Sequence, residues 1–275
     1  MNYRHAFHAG NFADLVKHAT VTVLLDALTA DAAPLTVVDT HAGAGGYDLD
    51  GELARRTGEA AQGIFRLMAA DDTPAPFDGL KAAVRKGNPG GGVRFYPGSP
   101  SLIAGRLRKG DRYVACEIRE DDAELLRQTL TPFPGAKVLQ SDGFEAAQRE
   151  AGKGGRLFVL IDPPFERADD YARIAGTLTS ALMLDPDACI AIWLPLKDLE
   201  TLDAFLRDLE DAVTGRILIA EARVRPLTNP MKMNGCALAL VGGPDLQAPI
   251  AAICGWVAES FGAGGLARVY SLPSR

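Results

Sequence analysis

Leu157-Phe158-Val159-Leu160-Ile161-Asp162-Pro163-Pro164-Phe165 is an unbroken apolar run that stops at an acid and two prolines. Five large apolar residues in succession read as a strand buried on both faces, the kind found inside parallel sheets. The two prolines restrict the backbone and remove two amide donors, so neither strand nor helix continues through them. Comparable runs lie on either side, and strands are expected over 35–40, 113–118, 136–141, 189–194, 217–224 and 236–241. Amphipathic stretches alternate with them. Residues 102–108, 121–129, 171–182 and 199–211 carry apolar side chains at spacings of three and four, and 11–28 reads as a helix capped by Asn11. The alternation predicts an α/β fold: an open, mostly parallel sheet with helices on both faces.

One interval breaks the rhythm. About seventy residues separate the first strand from the second, where a crossover needs far fewer. Residues 47–96 are therefore expected to form a helical insertion subdomain, with helices over 52–69 and 77–86. Residues 1–46 and 97–275 then make the core. The run Gly87-Asn88-Pro89-Gly90-Gly91-Gly92 must be a loop.

Composition narrows the class. Of the 275 residues, 47% are apolar, enough for a large core, yet no run approaches the ~18 residues of a membrane span. The N-terminal residues lead into a mixed stretch without a secretory signal. The four cysteines are far apart and suggest no disulfide framework, so a cytoplasmic protein without a membrane partner is expected. The net charge of −6 argues against nonspecific nucleic-acid binding, but it hides a pattern. From Lys81 to Arg112 eight basic residues stand against the single acid Asp111. That stretch is either a solvated face or a phosphate-binding surface.

Three strand ends carry residues suited to a nucleoside ligand. Asp39-Thr40-His41-Ala42-Gly43-Ala44-Gly45-Gly46 follows the first strand, and its small residues let backbone approach a ligand. The third glycine of a dinucleotide fingerprint is missing, which disfavours a nicotinamide cofactor. Glu117 ends the second strand, where a carboxylate can accept both ribose hydroxyls. Asp142-Gly143 follows the third, where an acid can accept from an adenine amino group.

At Asp162-Pro163-Pro164-Phe165 the chemistry changes. A carboxylate and a backbone carbonyl, both acceptors only, face one spot and suit an exocyclic NH2 with two donors. An aromatic ring one residue on can stack on a base. Adenine N6 is a poor nucleophile because its lone pair is delocalised into the ring. Accepting hydrogen bonds from both of its N–H groups favours a tetrahedral nitrogen aimed at a sulfonium methyl. Asp162 can then take or relay the released proton. The base must leave its stack to reach such a pocket. All four histidines fall within the first 41 residues, without the spacing of a zinc site, and no metal is expected.

The chain also resembles a known family. Tyr3-Arg4-His5-Ala6-Phe7-His8-Ala9-Gly10-Asn11, Ala13-Asp14, Lys17-His18, the turn from Asp39 to Gly45, and Tyr96-Pro97-Gly98-Ser99-Pro100 are similar to the bacterial ribosomal large subunit methyltransferase J family. The likeness runs through most of the chain, and past Leu194 it is one of general character. It implies a Rossmann-like class I methyltransferase sheet with a small helical insertion after the first strand. It also implies S-adenosyl-L-methionine as donor and N6-methylation of one adenine in 23S ribosomal RNA. Donor contacts would fall on His18, His41, Ser99, Glu117, Asp142 and Gly143, with Lys17 a weaker addition. Asp162 would be catalytic. Tyr3 would lie near the RNA, together with Pro163 and Phe165 at the base. The family usually has tyrosine where this chain has Phe165, which keeps the stacking face and loses a hydroxyl. Nothing in the sequence demands an oligomer, and a monomer is expected. The rivals are an adenine methyltransferase acting on DNA or another RNA, and a noncatalytic RNA-binding protein that kept the fold. A glutamine methyltransferase usually carries asparagine at position 162.

Overall fold

Asn11 starts the first helix by accepting the N–H groups of Ala13 and Asp14 on its side chain. The computed structural model describes residues 5–229, 231–262 and 264–272. Helix α1 (Phe12–Leu28) leads into β1 (Leu35–Asp39). The insertion follows as β2 (Gly46–Asp48), α2 (Glu52–Thr57), α3 (Ile64–Ala69), α4 (Asp78–Gly87) and β3 (Phe95–Pro97). Then come α5 (Ser99–Ala104), β4 (Arg112–Cys116), α6 (Glu120–Leu130), β5 (Ala136–Leu139), α7 (Gly143–Ala151) and β6 (Arg156–Ile161). The chain ends with α8 (Asp170–Leu184), β7 (Cys189–Leu196), α9 (Leu199–Ala212), β8 (Ile217–Arg223), β9 (Gly235–Val241), α10 (Gln247–Phe261) and β10 (Leu266–Leu272).

Eight strands form one sheet in the order β10-β8-β9-β7-β6-β1-β4-β5. The pairs among β7, β6, β1, β4 and β5 are parallel, and those joining β7, β9, β8 and β10 are antiparallel. From β1 the chain moves outward to β4 and β5, then returns to the other side of β1 at β6. The carboxyl ends of β1 and β6 thus flank the switch point, where open α/β sheets bind ligands.

Strand residues alternate between two cores. Val37, Tyr113, Ala115, Phe158 and Leu160 face the layer of α1, α5 and α10, while Val38, Val114, Val159 and Ile161 face α7, α8 and α9. The insertion joins the first of these layers: Ile64, Leu67, Phe77, Leu80 and Tyr96 are buried in the same core as Leu15 and Ile250.

The expected strands all form, with ends shifted by one or two residues. Two helix readings change. The helix expected over 102–108 runs Ser99–Ala104 instead, because Pro100 suits a first turn and Arg108 leaves the helix to bond Asp111. The single helix expected over 52–69 is split into α2 and α3. Gly63 lies against the start of α1, where an added Cβ would sit 1.9 Å from the Gly10 carbonyl oxygen. Helices α7 and α10 and the edge strand β10 were not anticipated. The buried face of α7 is largely alanine, a weak periodic signal, and half of β10 is polar. No helix among the described residues is long and apolar enough to cross a membrane.

Candidate active site

The carboxyl ends of β1, β4, β5 and β6 open onto a cavity of about 910 Å³. Ligand pockets run from roughly 300 to 1,000 Å³, so two ring systems fit side by side. His18, His41, Ser99, Glu117, Asp142, Gly143, Asp162, Pro163 and Phe165 all line it. Tyr3 lies outside the described residues.

The ends of β1, β4 and β5 build one half. Asp39 is fully buried and accepts from the Ser99 hydroxyl at 2.8 Å and the Tyr113 hydroxyl at 3.2 Å. Burial pushes its carboxyl up to about 6. Ser99, first residue of α5, is oriented by that bond. Glu117 accepts the backbone N–H groups of Gly43 at 3.0 Å and Arg119 at 2.8 Å, one on each oxygen. Burial raises its pKa too, against the backbone N–H bonds that lower it. Asp142 caps α7 through the Phe144 N–H at 2.9 Å and pairs with Arg173 at 2.5 Å. Burial, the largest single influence, pulls that acid upward, but the bond and charge of Arg173 together with the Phe144 and Glu145 N–H groups hold it below the ordinary range. The Arg173 guanidinium in turn lies 4.4 Å from the Phe144 ring centre. Gly143 must be glycine for packing, since a Cβ there would meet the Thr40 carbonyl oxygen at 2.0 Å. His41 stands edge-on to Phe144, and burial pushes its imidazole down to about 4, so it is neutral at pH 7.

The other half surrounds Asp162. The Lys17 ammonium, 5% exposed, donates to Asp162 Oδ2 at 2.6 Å and sits 3.0 Å from Asp14 Oδ1. Asp14 also accepts from the Gly10 N–H at 2.9 Å and lies 3.0 Å from His5 Nε2. Burial alone would raise the Asp14 pKa, yet His5, Lys17 and His18 around it bring it well below the usual range. One turn on, His18 Nδ1 lies 2.7 Å from the hydroxyl of Tyr96, and burial lowers its pKa to about 3. Both α1 histidine and lysine therefore face the cavity from below.

Phe165 has φ +50°, the left-handed region, unique among described non-glycine residues. Such a conformation costs about 1–3 kcal/mol and persists where surroundings enforce it. Here the ring packs 5.0 Å from Tyr171 and 6.0 Å from Trp193, forming an aromatic wall beside Asp162. Lys17 lies 6.0 Å from the Trp193 ring centre, closing that corner.

The basic stretch is not part of this cavity. Between Lys81 and Arg112 only Gly98 and Ser99 line it. Lys81 is buried and donates to the Ala70 carbonyl and Thr73. Arg94, Arg106, Arg108 and Arg112 pair with Asp48, Asp26, Asp111 and Glu150. Arg108 and Arg112 lie at the amino end of β4, the opposite edge of the sheet. The basic residues of 81–112 therefore lie outside the cavity, with four of the eight paired to acids.

Asp14, His5 and Asp39 lie in motifs read from the sequence but received no role there, and Arg173 and Trp193 were not singled out at all. Asp14, Lys17 and His18 share one helical face, at i, i+3 and i+4, and that spacing was the available signal. Lys17, a weaker expected donor contact, lines the cavity and pairs with Asp162. Among the described residues no group of three or more His, Cys, Asp or Glu is arranged to hold a metal ion.

Comparison with known proteins follows the same lines. Residues 32–270 match the family model described as Ribosomal RNA large subunit methyltransferase D, RlmJ. Ribosomal RNA large subunit methyltransferase J of Escherichia coli is 33% identical over 245 residues, covering 89% of this chain and 88% of that protein. The protein of the same name from Haemophilus influenzae is 31% identical over 246 residues, with the same coverage. A crystal structure of a Legionella pneumophila protein superposes with a TM-score of 0.87 at 26% identity, over 96% of this chain and 98% of that one.

Proposed function

The chain belongs to the ribosomal RNA large subunit methyltransferase J family, and from that premise we propose that it methylates N6 of one adenine in 23S ribosomal RNA, with S-adenosyl-L-methionine as donor. The observation that carries the reading is Asp162-Pro163-Pro164-Phe165 at the end of β6, sharing one cavity with the strand-end acids Glu117 and Asp142. The donor half fits the cofactor. Glu117 is held by two backbone N–H groups, forms no ion pair among the described residues, and keeps acceptor capacity for two ribose hydroxyls. Asp142 and neutral His41 border the adenine end, while Ser99 and His18 border the methionine end. When bound, the cofactor supplies a methyl group already activated on a sulfonium.

Everything else falls to the chain. Asp162 and the Pro163 carbonyl accept the two N–H groups of the target amine and aim its lone pair across the cavity. Lys17 occupies Asp162 Oδ2 and keeps the acid in one orientation, leaving Oδ1 for the incoming amine. Phe165 offers its face to the base. Once the carbon–nitrogen bond forms, the nitrogen carries positive charge and one proton too many. That proton passes to Asp162, and the strong acidity of the methylated nitrogen lets even an ion-paired carboxylate accept it. The four cysteines are free and buried, which suits the reducing cytoplasm where such an RNA is made.

Methylation of a 23S RNA transcript tests the reading. Wild type should incorporate one methyl per transcript as N6-methyladenine. Asp162→Ala should reduce turnover by about 10³-fold or more, since it removes both an acceptor and the proton's destination, while donor affinity stays close to wild type. Unchanged turnover in that variant would sink the mechanism.

A further inference from the structure

An acidic protein that binds RNA must concentrate its unpaired cations where the RNA lies, because phosphate neutralisation supplies most nonspecific affinity. In this chain most arginines are committed to acids. Among the described residues, three exposed cations beside the cavity have no ion-pair partner: Lys197, Arg225 and Lys232. Lys197 lines the main cavity itself. Arg225 and Lys232 line a second hollow of about 220 Å³, which shares Asn11, Glu59 and Met233 with the first. The two hollows therefore adjoin along these three residues.

These cations come from two separate segments held together. Asn234, 2% exposed, donates through Nδ2 to the carbonyls of Lys197 at 3.0 Å and Asn229 at 2.8 Å. Its own backbone carbonyl accepts the N–H groups of Val224 and Arg225. Arg225 adds a bond to the Met233 carbonyl at 3.3 Å. A buried asparagine thus fixes the end of β7 and both ends of the β8–β9 connection as one rim. Met231, 89% exposed, stands on the same connection.

We propose that Lys197, Arg225 and Lys232 hold the phosphates of the RNA strand next to the extruded adenine, with Met231 against a neighbouring base. The inference rests on the RNA-methyltransferase reading above. A base that reaches Asp162 leaves its flanking phosphates at the cavity mouth, and this is the part of the mouth where cations are uncommitted. The second hollow gives the adjoining nucleotide a place to lie. Glu59 in that hollow does not repel the strand fully, since His8 and Asn11 already bond its two oxygens at 2.9 Å each.

The test uses full-length protein and a 23S RNA transcript, with binding measured across a range of potassium chloride concentrations. A triple variant, Lys197→Gln, Arg225→Gln and Lys232→Gln, should bind about tenfold more weakly or worse at low salt. Its plot of log affinity against log salt should flatten by about two to three, roughly one per lost contact. Donor affinity, read by calorimetry, should not move. The comparator is Arg85→Gln, Lys86→Gln and Lys109→Gln, which removes the same charge from unpaired positions off the cavity and should leave the slope near wild type. The three single rim variants, each expected to give about a third of the slope change, guard against misfolding of the triple. Equal slopes for the rim variants and wild type overturn the inference, as does equal flattening in rim and comparator. A wild type that binds but does not methylate the transcript overturns the functional reading, and this inference with it.

Discussion

The first turns of α1 and the stretch from Lys81 to Arg112 are both dense in charge, and they use it in opposite ways. In α1, Asp14, Lys17 and His18 are buried, and Lys17 reaches across 145 positions of sequence to Asp162. In the basic stretch the arginines are at least partly exposed, and their acids lie on the surface or at the sheet's amino edge. A charge taken out of water needs a partner and several hydrogen bonds, so a buried cluster is built for a reason that solvent does not supply. A surface charge needs neither. The density of charge along a sequence is thus a poor guide to a site; burial of the partners is the better one.

The sharpest way to break that comparison is at Lys17. Lys17→Met keeps the stem and removes the ammonium, leaving Asp14 and Asp162 facing each other without their shared cation. Turnover should fall by about 10²–10³-fold, as expected when a preorganised charge beside the reacting group is lost. Stability should fall by about 3–5 kcal/mol, the usual result of removing one partner from a buried ion pair. Lys17→Arg should recover most of the stability and little of the turnover, because the planar guanidinium cannot place one donor as the ammonium does. If both variants retained wild-type turnover, the buried cluster would be structural only.

How far the sequence reached follows from the same contrast. Asp162-Pro163-Pro164-Phe165 could be read directly because the restraint is covalent: two prolines behave as they do in any context. The parallel strands could be read because burial on both faces writes itself as continuous Val, Ile and Leu. The pairing of Lys17 with Asp162 could not, since no local rule joins residues in α1 and after β6. The antiparallel end of the sheet was hidden for a related reason. β8 and β9 are as apolar as parallel strands, and only their register with β7 and β10 distinguishes them. The fate of Arg106, Arg108 and Arg112 was equally illegible, because each acid that neutralises them lies on another element or in a turn.

Acid titration of stability sharpens the comparison with a smaller effect. His18 and His41 titrate near 6.5 when unfolded, and burial holds them at about 3 and about 4 in the fold. Between those values the unfolded chain binds protons that the folded chain refuses, so stability falls as pH drops below about 6.5. Each histidine contributes a slope of up to about 1.4 kcal/mol per pH unit in that window. Asp39 acts with the opposite sign: its raised pKa of about 6 favours the folded state as pH falls from 6 toward 3.8. Urea unfolding at pH 7, 6 and 5 should therefore show a net loss of stability, shallower than two histidines alone would give. His18→Gln should reduce the loss, and Asp39→Asn should steepen it. Charge variants at Arg85 or Lys109 should leave the profile unchanged.

The smallest effect on function is expected at Arg108, and it separates packing charge from binding charge most cleanly. Its guanidinium bonds both oxygens of Asp111 at 2.9 Å and the carbonyls of Thr29 at 2.9 Å and Ala33 at 2.8 Å. Asp111 meanwhile accepts the Leu35 N–H at 2.9 Å. One arginine thus ties the α1–β1 connection to the start of β4. Arg108→Ala should lower the melting temperature by a few degrees, because it leaves a buried aspartate with only backbone donors. RNA affinity and its salt slope should match wild type within error, and so should turnover. If the salt slope instead fell by about one, Arg108 would be contacting a phosphate in the complex. The RNA would then have to reach the amino edge of the sheet, and the contrast between the two charged regions would fail.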